Sequence, residues 1–65
     1  MMKYTNSEII NLINEYVHSE RDRQIMIERF VNGLTFSELS DKFYLSERQI
    51  KRIVKRADVF LLKMH

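Results

Sequence analysis

The chain has 65 residues with no Cys, no Pro and one Gly, and its 11 Lys and Arg against 9 Asp and Glu give a formal net charge of +2. At this length about 60% of the surface of the unfolded chain becomes buried, which excludes a second lobe or a deep catalytic cleft. The lack of Cys excludes a disulfide framework or a thiolate metal site, and short apolar runs broken by charges exclude a membrane span or a signal peptide, so the expected location is cytoplasmic.

With so few turn formers and abundant Leu, Ile, Glu, Lys and Arg, the class is all-α. The sequence divides into four helices over about 6–18, 20–32, 36–43 and 47–63, forming one small domain over residues 1–65. Thr5-Asn6-Ser7-Glu8 is a capping box, in which a side-chain oxygen and a Glu carboxylate reciprocally satisfy free backbone N–H groups at a helix start. Behind it, Ile9, Ile10, Leu12, Ile13, Tyr16 and Val17 recur three and four apart, giving an apolar face that ends near His18. Ser19-Glu20-Arg21-Asp22 signals the next start, with acids where the helix dipole favours them. Ile25, Met26, Arg29, Phe30 and Val31 supply the inner face of this second helix, and Asn32-Gly33 its left-handed stop.

Thr35-Phe36-Ser37-Glu38 opens a third helix of about two turns, and Ser46-Glu47-Arg48-Gln49 opens the fourth. The stripe Ile50, Ile53, Val54, Ala57, Phe60, Leu61 and Met64 carries no breaker, which predicts one long terminal helix. Charge is unevenly placed: residues 1–45 hold five Lys and Arg against seven Asp and Glu, whereas residues 46–65 hold six against two. A positive field concentrated in the last helix implies a polyanionic partner.

Two short helices hinged by Tyr44-Leu45, the second one basic, form the pattern of a helix-turn-helix, with Phe43 and Leu45 plugging the space between them. In detail, Ser19 to Ile25, Gly33-Leu34-Thr35-Phe36 and Leu45-Ser46-Glu47-Arg48-Gln49-Ile50-Lys51-Arg52-Ile53 resemble region 4 of bacterial sigma-70-type factors, without a gap from residue 7 to about 62. LuxR-like output domains are the second choice, because in them the helix after the turn is usually followed by a short dimerising helix. The resemblance implies a small DNA-binding transcription regulator of bacterial or phage origin, similar to a free-standing region 4 rather than to a complete sigma factor. Where the family often has Gly after the scaffold helix this chain has Tyr44, at a cost of about 1 kcal/mol if the left-handed dihedral is kept. Ser40, where the two helices touch, is small enough for close approach.

With Ile50, Ile53 and Ala57 facing inward, Glu47, Arg48, Lys51, Arg52 and Lys55 face the groove. The resemblance places Glu47, Arg48, Lys51 and Arg52 at the family's main DNA-contact positions, which makes these four the expected base readers. Arg48 and Arg52 have the fork that pairs with guanine, and Glu47 can accept from a cytosine amine, although a first-turn acid also satisfies the helix dipole. The flexible ammonium groups of Lys51 and Lys55 suit phosphates, and Thr35, Ser37, Ser46 and Arg56 complete the expected backbone-contact set. Phe30, Phe36, Phe43 and Phe60 read as core rather than as base-stacking platforms. No catalytic constellation, cofactor motif or metal-ligand cluster is visible, so the chain is not expected to be an enzyme.

The expected partner is double-stranded DNA. One such domain reads about four to six base pairs, so a homodimer, a tandem site or RNA polymerase is expected as a second anchor. The alternative is a protein-interaction module docking on RNA polymerase or on an anti-sigma-like partner.

Overall fold

A computed structural model describes residues 4–61 of the chain. Each of the first four helices begins at a side chain that satisfies one of its free N–H groups. Thr5, Thr35 and Ser46 form reciprocal capping boxes with Glu8, Glu38 and Gln49, and Ser19 accepts from the Asp22 N–H, so all four starts fall where the sequence puts them. These caps open α1 (Asn6–Tyr16), α2 (Glu20–Phe30), α3 (Phe36–Phe43) and α4 (Glu47–Lys55), and a short α5 (Asp58–Leu61) follows.

The inner faces meet in one core. Ile9, Ile13 and Val17 come from the first helix and its cap, Ile25 and Met26 from α2, Leu39 from α3, and Ile50, Ile53 and Val54 from α4. Ala57, Phe60 and Leu61 close it. α2 lies at the centre and packs on α1, α3 and α4, α3 packs on α4, and α5 packs on α1. Placing α3 and α4 on the same central helix fixes the helix-turn-helix as a rigid unit.

Three helix ends depart from the sequence reading. α1 stops at Tyr16, because Val17 turns extended, and the Arg23 guanidinium reaches back to the carbonyls of Val17 (2.7 Å) and His18 (3.1 Å). α2 stops at Phe30; Gly33 adopts φ 74° and the Leu34 N–H returns to the Glu28 carbonyl at 3.1 Å. A Cβ on Gly33 would meet nothing within 4 Å, so it is the left-handed dihedral rather than space that calls for Gly.

The largest departure is the expected single helix over 47–63. It is divided at Arg56-Ala57, where the N–H groups of Arg56 and Ala57 bond carbonyls three residues back, those of Ile53 and Val54. With this tighter winding α5 lies on α1, where the Phe60 ring stacks on Tyr16 with centroids 5.2 Å apart. Neither Gly nor Pro marks the break, because packing against α1 produces it. Residues 62–63 of the expected helix, and Met64 of its apolar stripe, lie outside the described residues. The unbroken last helix therefore no longer separates region 4 from LuxR-like domains.

Candidate nucleic-acid interface

The turn between α3 and α4 is held from both sides. Tyr44 takes φ 58° and ψ 40°, the left-handed conformation that Gly adopts without steric cost. Ser40 then clamps the next residue twice, its hydroxyl donating to the Leu45 carbonyl while its own carbonyl accepts from the Leu45 N–H at 3.2 Å. Phe43 and Leu45 are half-buried against the core, as a plug requires, and Tyr44 is 92% exposed. The expected family dihedral is thus retained with a residue that pays for it in strain.

Beyond the turn, burial of Ile50, Ile53 and Val54 dictates what α4 presents outward. Arg48, Lys51, Arg52 and Lys55 are exposed along that face, and Glu47 is exposed at the start of the helix. Among the described residues, Arg48, Arg52 and Lys55 have no ion-pair partner, so their charge is available to a ligand. Glu47 lies in the first turn of α4, where its charge favours the helix start.

The outer face has two edges. On one, Lys51 leans toward the start of α3, its Nζ 5.6 Å from the centre of the Phe36 ring, and the Arg29 guanidinium lies 4.5 Å from the same centre. Arg29 is anchored there by donating to the Leu34 carbonyl at 2.8 Å. The other edge, with Gln49, Arg52 and Arg56, lines a cleft against Arg21 and Asp22 at the start of α2.

Among the described residues Asp22 is the buried charge, its side chain 5% exposed, and it accepts from Arg56 at 3.1 Å and from Arg21 at 3.3 Å. Arg56, expected on the DNA backbone, also ties the end of α4 to the start of α2 through its guanidinium, while its side chain stays 65% exposed. Sequence reading took Asp22 for a first-turn acid and did not pair it with a residue 34 positions away. The alternation of Arg21-Asp22-Arg23 was the only available signal, and it is common on solvated helices.

Thr35, Ser37 and Ser46 are exposed at the starts of α3 and α4. The hydroxyls of Thr35 and Ser46 already cap their helices, accepting from the N–H groups of Glu38 (3.1 Å) and Gln49 (3.2 Å). Two bonds from Thr35, its backbone N–H first and its hydroxyl second, hold the Glu38 carboxyl below the ordinary value of 4.5. Behind α3, Lys42 pairs with Glu28, and the hydrogen bond from Lys42, with a second from Asn32, lowers the Glu28 carboxyl as well. No group of three His, Cys, Asp or Glu able to hold a metal ion occurs among the described residues.

A short scaffold helix, a left-handed turn and a capped basic helix, all braced on a third helix, define a DNA-binding helix-turn-helix domain. Residues 19–58 match the family described as Sigma-70, region 4, and the chain belongs to that family. The match runs from the cap of α2 to the first residue of α5, covering every element of the helix-turn-helix, and it ranks region 4 ahead of the LuxR-like alternative. Comparison with curated proteins and with solved structures finds no match. The family is not a catalytic one, and no helix among the described residues is long and apolar enough to cross a membrane.

Proposed function

We propose that the protein is a small sequence-specific transcription regulator that lays α4 in the major groove of duplex DNA. The observation that carries this reading is the outer face of α4, where Arg48, Lys51, Arg52 and Lys55 stand exposed opposite a fully apolar inner face. Glu47, Arg48, Lys51 and Arg52 are the proposed base-reading set; Lys55, with Thr35, Ser37 and Ser46, meets the backbone and sets the register. Arg56 braces the fold through Asp22 while its exposed remainder flanks the same surface. RNA polymerase, or a second copy of the chain, is proposed as the additional anchor that so short a reading helix requires.

The test is a gel shift with random duplexes at two salt concentrations, followed by selection of bound oligonucleotides and size measurement of the complex. DNA recognition predicts complexes that weaken steeply with salt and converge on a preferred sequence. Failure to bind at low salt would favour the protein-interaction module instead.

A further inference from the structure

We infer that Phe36 is a positioning residue for DNA recognition, its ring holding the Lys51 ammonium on the groove-facing edge of α4 without neutralising it. The inference rests on the proposed contact between Lys51 and DNA. Phe36 is the first residue of α3, fixed by the Thr35 capping box and packed against the core, so its ring is part of the rigid scaffold. Arg29 secures it from the α2 side at 4.5 Å, and the Leu34 carbonyl fixes Arg29 in turn. Lys51 approaches the same ring from α4 at 5.6 Å, within the reach of a cation–π attraction.

The nature of that attraction matters more than its strength. Lys42, the lysine of α3, is ordered by the carboxylate of Glu28, which cancels its charge and occupies an N–H. A π face orders an ammonium by its quadrupole, leaving the charge uncancelled and the N–H donors that point away from the ring free for an incoming oxygen. Lys51 remains exposed, so its outer side is open to a phosphate or a base edge. A long, flexible side chain seated before docking loses less freedom on docking, and affinity rises accordingly. Leucine at position 36 would keep the apolar contact with the core and remove the seat.

The experiment is a double-mutant cycle of Phe36→Leu and Lys51→Met in the full chain, read on a duplex recovered from a random pool, with Phe36→Tyr as the ring-preserving control. The Lys51 ε-methylene proton shifts in the free protein report the seat directly. The expected result is a loss of about two- to fivefold in affinity for Phe36→Leu when Lys51 is present, none when it is Met, and full affinity for Phe36→Tyr. The ring-current displacement of the Lys51 protons should persist with Tyr and vanish with Leu. An equal loss from Phe36→Leu in both backgrounds overturns the inference and leaves the proposed interface standing. Unchanged binding by Lys51→Met removes Lys51 from that interface, and the inference falls with it.

Discussion

The cations of α2 and α3 and those of α4 stand in opposite relations to the rest of the molecule. Arg21 and Arg23 are engaged by Asp22 and by backbone carbonyls, Arg29 by the Leu34 carbonyl and the Phe36 ring, and Lys42 by Glu28. Along α4, Arg48, Arg52 and Lys55 have no acidic partner among the described residues, and Lys51 has only a ring. A net charge of +2 thus understates what a ligand would meet at α4, where the exposed cations have no acidic partner among the described residues. A cation near a helix-turn-helix is informative about DNA only after its intramolecular partners have been found.

Substitution separates the two kinds of cation. The largest expected effect on stability comes from Asp22→Ala, which removes the carboxylate bonded to two guanidinium groups; urea denaturation should lose about 1.5–3 kcal/mol, and sequence preference should be kept below the transition. A loss of preference with normal stability would place Asp22 at the interface. Arg48→Ala and Arg52→Ala should do the reverse, each removing about 1–3 kcal/mol of discrimination between duplexes while moving stability by less than about 0.5 kcal/mol. Destabilisation by either would show an internal partner and merge the two classes.

A change that touches no cation serves as control. Tyr44→Gly should raise stability by up to about 1 kcal/mol by relieving the left-handed strain, and an unchanged or lower denaturation midpoint would mean that the phenol stabilises the turn. The smallest effect concerns acid. The carboxyls of Glu8, Glu28 and Glu38 are lowered from 4.5 by their hydrogen bonds, those from Thr5 for Glu8, from Lys42 and then Asn32 for Glu28, and from Thr35 for Glu38. Lowered acids stabilise above their ordinary value and lose that contribution as pH falls through the lowered one. The denaturation midpoint should therefore decline below about pH 4.5, and Glu28→Gln should make the decline shallower. Equal acid sensitivity in the variant would show that the Lys42 pair adds nothing to the folded state.

Features encoded within a few residues were legible in the sequence. The caps at Thr5, Ser19, Thr35 and Ser46 each rest on a residue and its third neighbour, and the inward stripe of α4 rests on its own periodicity. The strain at Tyr44 was legible through the family resemblance, in which Gly often occupies this left-handed position. What escaped was set across distance: Asp22 meets Arg56, Phe36 meets Lys51, and packing on α1 breaks the last helix after Lys55. A periodic apolar stripe serves a straight helix and a bent one equally well, so periodicity alone could not place the bend.

On the proposed reading, that bend limits how much text α4 can span. The nine residues of α4 extend about 14 Å along their axis, a span matched by about four base pairs at 3.4 Å each. Among the described residues, those of α5 turn toward α1 and join the scaffold instead of prolonging the reading helix. On the proposed reading, selectivity in a genome comes from pairing this short word with a neighbouring one, and the spacing between the two becomes part of the address.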